Sequence, residues 1–488
     1  MVRTRFAPSP TGFIHIGSIR TALYSYALAK KHKGEFILRI EDTDKSREIK
    51  KGVEDIISSL NTFGIKPDEG PNVGGKHKPY IQSKRLKIYQ EKAKELVEKG
   101  KAYYCFCKKE RLEELKNKQK KQGKQPRYDE KCRNIDIKEA KKRVEEGESY
   151  VIRLKVPKNR RLTINDALLG KVSWNSNDVD DQVLLKSDGF PTYHLAVVVD
   201  DVLMKISHIT RGVEWLASVP KHILLYEAFE YEFPATAHMP VILDPDGGKL
   251  SKRKGTVSVK EFLEEGYLPE ALLNFLMLLG WAPDNDREFY SLKEFQREFS
   301  LERLNKASPV FNRKKLLWFN GEYIRKYSKT LFTSKVKDWT KKYCKDKFIK
   351  KSILNDKKIL HKLELIQERV SLLKEVVESL RFFYQKPKVV PDPKGVKGVK
   401  RYKSSDFKTA IKDYLDIIHN YPSKTNKWKH KIWEGDIRSL ADKYEWKHGD
   451  MFMMIRLVIC GSPVSPPLFE SMVILEKDQV VDRLSSFL

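Results

Sequence analysis

Residues 3–44 read RTRFAPSPTGFIHIGSIRTALYSYALAKKHKGEFILRIEDTD, in which two short strand-like segments flank one long helical pattern. These segments predict buried strands over residues 3–6 and 35–40, and a proline-rich turn follows the first strand. Ser18 is expected to cap the helix between the strands, which ends near His32. A helix that starts at the carboxyl edge of parallel strands can bind an anion, because its first N–H groups have no partner inside the helix.

Two residues of this segment and one distant segment suit a nucleotide. His15 can donate to a phosphate, and Gly17 lets a flat base approach the backbone. Some two hundred residues later, KLSKRKG at residues 249–255 supplies positive charge, and the glycines on both sides of it favour a loop that closes over a ligand. Taken singly, the segments could be a proline-rich turn with a core histidine and a solvated basic loop. Together they predict a site that activates an acid with ATP.

These residues resemble the glutamyl-tRNA synthetases of bacterial and organellar type, which are class I aminoacyl-tRNA synthetases. Residues 8–18 are similar to that family's form of the HIGH motif, with Ser18 in place of the final histidine, and residues 249–253 are similar to its KMSKS loop. The resemblance continues through IEDTD, PTYHLAVVVDD, RGVEW, YLPEALLNFLMLLGW, FNRKKLLWFN and CGSPVSPPLFESMVIL. It implies a glutamate–tRNA ligase that forms glutamyl-adenylate from ATP, with Mg²⁺, and transfers glutamate to the 3′ end of tRNA-Glu.

The pattern of elements and the resemblance together predict an α/β protein with an all-α end. A Rossmann-like catalytic domain with an α+β insertion is expected first, followed by helical domains that bind the anticodon. The expected divisions are a catalytic domain at 1–98 and 200–245, an insertion for the acceptor end at 99–199, a helical stem-contact domain at 246–325, and an anticodon-binding region in two bundles at 326–488 with a linker near 386–400.

The resemblance also assigns site residues in three groups. Phosphate charge would be stabilised by His15, Lys249 and Lys252. ATP would contact Pro8, Gly17, Ser18, Glu214, Ser251 and Lys252. Glutamate would contact Arg5, Arg211 and Tyr193 through its γ-carboxylate and Ser9 and Glu41 through its ammonium group. A buried carboxylate needs a paired charge, which arginine supplies in bidentate geometry. The alternatives are that Glu41 is a helix-cap or surface carboxylate, and that Arg211 pairs with Asp200 or Asp201.

Three cysteines form the best metal candidate, and they are Cys105, Cys107 and Cys132. Their spacing is similar to the zinc knuckle of many bacterial members of the family, but Asn134 stands where those members have histidine. Because structural zinc takes four ligands, Tyr128, Asp129 or water would have to complete the site. The alternative is a relict knuckle with three free thiols. Cys344 and Cys460 are isolated and are expected to be packing residues.

Composition agrees with a nucleic-acid partner. The 488 residues hold 95 Lys and Arg against 66 Asp and Glu, a net charge of +29 that favours an extended polyanion such as tRNA. A lysine-rich genome is the alternative source of this charge. Trp428, Trp433 and Trp446 could stack on anticodon bases or lie in the bundle core.

The sequence also gives expectations about the compartment. The motif begins at Arg3, which leaves no room for a cleavable signal, and no run of about eighteen apolar residues indicates a membrane span. Five cysteines fit a reducing compartment. We therefore expect a cytoplasmic monomer that does not bind membranes.

Alternative functions differ in ways that can be tested. The same enzyme could charge both tRNA-Glu and tRNA-Gln, or the chain could be a catalytically inactive tRNA-binding module. A glutaminyl-tRNA synthetase would end in β-barrels, and the truncated relative that glutamylates queuosine lacks an anticodon domain. The helical pattern of the last residues and the length of the chain argue against both.

Overall fold

The computed structural model describes residues 1–44, 49, 51–251, 257–388, 395–396, 399–421 and 430–488. It divides into two compact units, of which the first comprises Met1–Glu261 with Leu273–Asn312 and the second Phe262–Leu272 with Arg313–Leu488. Across these described ranges, no helix has both the length and the apolar character needed to cross a bilayer.

The strands of the first unit are short and form three sheets. They are β1 (Arg3–Phe6), β2 (Glu35–Leu38), β3 (Ala102–Cys105), β4 (Val151–Leu154), β5 (Arg161–Asp166), β6 (Gly170–Asn175), β7 (Val183–Leu185), β8 (His208–Gly212) and β9 (Ala235–Met239). β1 and β2 pair in parallel, and β3, β4 and β7 form an antiparallel sheet. The third sheet has the order β6-β5-β9-β8, in which β9 is parallel to both of its neighbours.

The helices account for most of the other described residues. They are α1 (Ile16–Lys31), α2 (Gly52–Thr62), α3 (Leu86–Glu98), α4 (Lys109–Lys121), α5 (Ile137–Glu145), α6 (Tyr193–Leu203), α7 (Val219–Ala228), α8 (Val259–Glu265), α9 (Pro269–Leu278), α10 (Leu292–Glu298), α11 (Arg313–Lys326), α12 (Lys329–Tyr343), α13 (Lys347–Asn355), α14 (Ile359–Glu364), α15 (Leu373–Tyr384), α16 (Ser404–His419), α17 (His430–Lys443), α18 (His448–Cys460) and α19 (Leu468–Ser485). The predicted order of an α/β part followed by a helical part is confirmed.

The start of α1 differs from the prediction. The helix begins at Ile16, and His15 is its N-cap, because the His15 side chain accepts a hydrogen bond from the N–H of Gly17. The prediction that Ser18 caps the helix was wrong, and Ser18 lies within the first turn. An imidazole nitrogen can replace the usual hydroxyl or carboxylate acceptor at this position. The second strand, predicted to reach residue 40, ends at Leu38.

Part of the segment predicted as an insertion joins the sheet that also contains β8 and β9. The hairpin of β5 and β6 lies within residues 99–199, yet β5 pairs in parallel with β9 at Asp166 and Thr236. The N–H of Ala167 continues this contact by donating to the carbonyl of Thr236 at 2.8 Å. Strand pairing between distant segments does not follow from the alternation of apolar residues in either one.

The described residues of the second unit form helices joined by turns, with no strand, and they have a large apolar core. Trp433 is fully buried in that core, and Trp446 packs on Tyr402 with 4.2 Å between ring centroids. The core interpretation is therefore correct for Trp433, and base stacking is wrong for it. Trp446 packs against the core but is only partly buried, so both interpretations of it stay predictions. Trp428 lies outside the described residues, as do residues 389–394 and 397–398 of the predicted linker.

Candidate active site

A cavity of 530 Å³ in the first unit collects nearly all the predicted site residues. Those that line it are Arg5, Pro8, Ser9, His15, Gly17, Ser18, Glu41, Tyr193, Arg211, Glu214, Lys249 and Ser251. Lys252 lies outside the described residues. Residues of the segment 8–18 and of the distant segment that begins at Lys249 thus lie at one site. This is the arrangement that the two motifs predict.

The N-terminus of α1 forms one wall of this cavity. The Nδ1 atom of His15 accepts from the N–H of Gly17 at 2.9 Å, so the neutral imidazole carries its proton on Nε2. A Cβ atom on Gly17 would lie 3.2 Å from the same Nδ1 atom, which explains the glycine. The cap therefore leaves His15 with an Nε2–H donor beside a helix N-terminus, a combination suited to a phosphate.

Lys249 and Glu214 face each other at the open side of the cavity. Lys249 Nζ lies 3.2 Å from Glu214 Oε1, and the two side chains are 61% and 46% exposed. Lys249 sits at the end of a tight hairpin, because residue 249 bridges to Leu243 while Gly247 and Gly248 take left-handed backbone angles. Two residues that the resemblance assigns to ATP are therefore ion-paired with each other in this structure.

Arg211 lies at the enclosed side of the cavity, on β8, and is 5% exposed. Its guanidinium donates to His238 Nε2 at 3.0 Å, and one terminal nitrogen lies 3.4 Å from both the Tyr193 hydroxyl and His222 Nδ1. All three partners are neutral, and among the described residues no carboxylate is within ion-pair distance of Arg211. A buried cation without a protein carboxylate can accept one from a substrate.

The residues around Arg211 are neutral because their pKa values are shifted. Burial lowers the pKa of His194 to about 3 and that of His222 well below the ordinary histidine range. Burial likewise lowers the pKa of His238, although the hydrogen bond to Asp166 acts in the opposite direction. Burial raises the pKa of Tyr193 to about 12, so its hydroxyl remains protonated at neutral pH.

A buried charge network lies next to this region. Arg5 pairs with Asp201 at 3.2 Å, and the fully buried Arg39 pairs with Asp201 at 2.7 Å and with Glu41 at 3.0 Å. The alternative pairing of Arg211 with Asp200 or Asp201 is therefore wrong, because arginines on other elements take both carboxylates; Arg85 pairs with Asp200 at 2.8 Å. The surface alternative for Glu41 is also wrong, since its side chain is 10% exposed and burial raises its pKa.

The family resemblance named Tyr193, but it did not name the other two partners of Arg211, which are His238 and His222, or Asp166, which bonds to His238. All three of these unnamed residues are buried. The sequence assigned residues 200–245 to the catalytic domain, and in the structure the pairing of β8 with β9 within that range sets His238 directly beside Arg211. The strand order needed to infer this pairing was absent from the sequence.

The three cysteines come together as predicted in the first unit. Their sulfur atoms all lie within 4.8 Å of one another, and the Tyr128 hydroxyl is 3.3 Å from Cys105 Sγ and 3.5 Å from Cys107 Sγ. Asp129 is instead engaged with Arg111. The Tyr128 oxygen also accepts from the N–H of Cys132 at 2.9 Å. Three sulfurs and one phenolic oxygen are therefore grouped together, which equals the number of donors that structural zinc takes. Cys460 is buried in the core of the second unit, where packing was expected.

The second unit has a cavity of its own, with a volume of 990 Å³. Four cations and three carboxylates line it, namely Arg369, Arg381, Lys386, Lys388, Asp346, Glu375 and Glu378. Arg381 pairs with Asp346 and Lys386 with Asp482, each at 2.8 Å. The segment at residues 460–466, which reads CGSPVSP and follows α18, also lines the cavity. A cavity of this size can admit an unstacked nucleotide base.

Comparison with known families assigns both units. Residues 1–318 match the family "tRNA synthetases class I (E and Q), catalytic domain", and residues 331–488 match "Anticodon binding domain". The two matches together cover nearly the whole chain.

Full-length relatives agree with this assignment. The chain is 42% identical to a glutamate–tRNA ligase of Finegoldia magna, covering 100% of this chain and 99% of the relative, and 39% identical to one of Clostridioides difficile, covering 99% and 98%. Its structure is similar to the crystal structure of a glutamate tRNA ligase from Elizabethkingia meningosepticum in complex with its amino acid, with a TM-score of 0.85 and 35% identity over 100% of this chain and 99% of that one.

Proposed function

The chain belongs to the class I tRNA synthetases of the glutamate and glutamine family, and we infer that it is a glutamate–tRNA ligase. The observation in the site that best supports this function is the buried Arg211 with neutral partners only. An amide-bearing substrate would leave that charge unpaired, whereas the γ-carboxylate of glutamate neutralises it.

The reaction has two steps. The α-carboxylate of glutamate attacks the α-phosphorus of ATP, a new oxygen–phosphorus bond forms, and pyrophosphate leaves with the electrons of the broken bond. The terminal ribose hydroxyl of tRNA, the 2′-OH in class I enzymes, then attacks the carbonyl carbon of glutamyl-adenylate, and AMP leaves. No side chain acts as a nucleophile, so the protein contributes position and charge stabilisation.

At the glutamate end, Arg211, Arg5 and the Tyr193 hydroxyl would contact the γ-carboxylate. The ammonium group would contact Ser9 and Glu41. Glu41 already pairs with Arg39, which in turn contacts Asp201 and so does not depend on Glu41 alone. Glu41 can therefore turn one oxygen to an ammonium group without leaving Arg39 unpaired.

At the ATP end, the base would lie against Pro8, Gly17 and Ser18, and Ser251 would contact ATP near the hairpin. His15 Nε2–H, Lys249 and Lys252 would stabilise charge on the phosphates, and the ATP phosphates carry Mg²⁺ with them. Lys249 would have to exchange Glu214 for a phosphate oxygen. Glu214 would then be free to accept a hydrogen bond from another part of ATP.

The cysteine cluster would hold zinc. The donor set is Cys105, Cys107, Cys132 and the Tyr128 oxygen, and the metal would fix the loop around α4. We expect zinc that a chelator removes more readily than from a four-thiolate site. Elemental analysis of purified protein and of its Tyr128→Phe variant tests this, with Asp129→Asn as the matched control. Equal zinc content in the protein and in Tyr128→Phe would rule out the tyrosine as a ligand.

The remaining regions would bind tRNA. Residues 99–199 would hold the acceptor end, residues 246–325 the stem, and residues 326–488 the anticodon. The cavity of the second unit is the best candidate for anticodon bases, because it combines size with polar lining groups such as the exposed guanidinium of Arg369. The enzyme is expected to act in the cytoplasm as a monomer.

An anticodon test can use the full-length enzyme. Arg369→Ala should reduce the preference for tRNA-Glu with its native anticodon over a substituted one, whereas Lys341→Ala removes an exposed charge of α12 and should leave the preference unchanged. If both variants show the same preference for the native anticodon, Arg369 and its cavity do not recognise the anticodon.

The function itself is tested by charging purified tRNA-Glu and tRNA-Gln with labelled glutamate, glutamine and aspartate. Glutamate on tRNA-Glu should be the best pair. Efficient charging of tRNA-Gln with glutamate would identify a non-discriminating enzyme. A protein that binds tRNA but shows neither charging nor tRNA-dependent pyrophosphate exchange would instead be an inactive binding module.

A further inference from the structure

Three buried side chains form a row across three neighbouring strands of the catalytic unit. Arg211 on β8 and His238 on β9 are register partners, and Asp166 ends β5 on the other side of β9. Arg211 Nε lies 3.0 Å from His238 Nε2, and His238 Nδ1 lies 2.7 Å from Asp166 Oδ2. The exposed fractions are 5%, 0% and 3% respectively.

The hydrogen-bond chemistry of this row permits one protonation state of His238. The arginine Nε–H can only donate, so His238 Nε2 must be an acceptor without a proton. The carboxylate of Asp166 accepts, so His238 Nδ1 carries the proton. Asp166 therefore selects the tautomer in which His238 accepts from Arg211.

Asp166 is itself held rigidly. Its Oδ1 atom accepts from the N–H groups of Leu168 and Leu169 at 3.0 Å each, and its Oδ2 atom accepts from the N–H of His238 at 3.1 Å. Although burial raises the pKa of Asp166, its hydrogen bonds with His238, Leu169 and Leu168 bring that pKa below the ordinary value. The Asp166 carboxylate thus stays charged. It contacts His238 but does not contact Arg211.

The charge arrangement has a consequence for specificity. A carboxylate in direct contact with Arg211 would neutralise it and compete with a substrate carboxylate. With one imidazole in between, Asp166 orients the guanidinium through His238 and leaves it without a carboxylate in direct contact. His222, whose Nε2 lies 3.2 Å from His194 Nδ1, offers a second neutral acceptor from α7 to a terminal nitrogen of Arg211.

We propose that Asp166 and His238 are positioning residues that fix the Arg211 guanidinium for the γ-carboxylate of glutamate. This inference rests on the proposed function and deepens it, since it names the residues that set amino-acid recognition. Neither residue lines the cavity, so both act through Arg211.

The most direct test is Asp166→Asn in the full-length enzyme. The asparagine oxygen can keep the backbone hydrogen bonds, but its amide would donate to His238 Nδ1, and the proton would move to Nε2. Two donors, His238 Nε2–H and Arg211 Nε–H, would then face each other. We expect the KM for glutamate to rise about tenfold or more, with the KM for ATP and kcat at saturating glutamate nearly unchanged.

His238→Gln supplies the rescue that a merely structural role would not show. Its side-chain oxygen can take the place of Nε2 and accept from Arg211 without help from Asp166. Adding Asp166→Asn to His238→Gln should therefore raise the KM for glutamate less than about twofold, a coupling that a double-mutant cycle measures. If Asp166→Asn raises KM equally in both backgrounds, Asp166 does not act through His238.

A further pair of variants decides the test if Asp166→Asn does not fold. In His238→Leu the new side chain is similar in size to glutamine but has no atom that can accept from Arg211. Its KM for glutamate should therefore exceed that of His238→Gln about tenfold or more. Equal KM values in the two variants, or an unchanged KM in a folded Asp166→Asn protein, would overturn the proposal. A wild-type protein that does not charge glutamate would instead overturn the proposed function, so the two failures are distinguishable.

Discussion

The two ends of the catalytic cavity handle charge by opposite means. At the glutamate end, Arg211 is buried and held by neutral acceptors, so its charge is in place before a substrate arrives. At the ATP end, Lys249 is 61% exposed and already paired with Glu214. A preorganised buried charge gives selectivity, whereas an exposed pair must rearrange and costs little to exchange. We therefore expect amino-acid choice to depend on the first end and catalytic rate on the second.

Removal of the buried charge should have the largest effect. Arg211→Ala should reduce kcat/KM for glutamate by about a thousandfold, because the γ-carboxylate would be buried without its partner. Most of the loss should appear in the KM for glutamate, and the KM for ATP should hardly change. Steady-state charging measures both constants.

The matched control is Arg211→Lys, which keeps the charge but loses the planar fork, and an intermediate loss is expected. A loss confined to kcat in Arg211→Ala would contradict the distinction between the two ends.

At the ATP end, the corresponding change is Lys252→Ala. This variant should slow adenylate formation by about a hundredfold, the usual scale for loss of a charge that stabilises a transition state. The KM for glutamate should stay within a few-fold of wild type. Single-turnover measurement of adenylate formation gives the rate directly.

Lys254→Ala removes one charge two residues further along the same segment and serves as its control. Equal rates of adenylate formation in the two variants would mean that this rate depends on the net charge of the segment and not on Lys252 itself.

The exposed ion pair should contribute much less. Glu214→Gln is expected to change the KM for ATP by about fivefold or less, since an exposed pair stabilises weakly and the freed Lys249 offsets the lost contact. Titration of the ATP dependence of charging checks this. A change of two orders of magnitude would show that this end is as preorganised as the glutamate end.

The smallest expected effect is that of pH on glutamate binding. Burial holds the pKa values of His194, His222 and His238 below the ordinary histidine range, and Tyr193 has a pKa of about 12. Protonation of a histidine would place a second cation beside Arg211 and would occur only below its lowered pKa. Loss of the tyrosine proton would occur only near its raised pKa.

The KM for glutamate should therefore be flat from about pH 6.5 to 9. Charging at saturating ATP across this range is the measurement. A rise in KM as pH falls through the ordinary histidine range would mean that one of these imidazoles titrates next to the substrate.

The same comparison explains what the sequence could predict. The ATP end is built from two contiguous segments around His15 and Lys249, so their residue types suited a nucleotide, and the family resemblance implied the remaining ATP contacts. The glutamate end depends on the pairing of β5, β9 and β8, which aligns Asp166, His238 and Arg211 from segments far apart in the chain. Register between distant strands is a tertiary property, and no local pattern specifies it.

Local rules also failed in specific places. The helix cap was assigned to Ser18 because serine is a common cap, whereas the turn geometry brings His15 Nδ1 to the Gly17 N–H. Which neighbour of the cysteine cluster contacts its sulfurs could not be chosen from sequence, because Tyr128 and Asp129 are adjacent. In the structure the Tyr128 hydroxyl contacts the sulfurs of Cys105 and Cys107, whereas Asp129 pairs with Arg111.

We infer that the buried guanidinium of Arg211, which contacts no carboxylate among the described residues, selects glutamate. This inference is tested most directly by the ratio of kcat/KM for glutamate to that for glutamine on tRNA-Glu, measured for the wild-type enzyme and for Arg211→Ala. We predict a strong preference for glutamate in the wild type, of about a thousandfold, that falls toward unity in the variant as the charge is removed. A wild-type preference that persists undiminished in Arg211→Ala would contradict it.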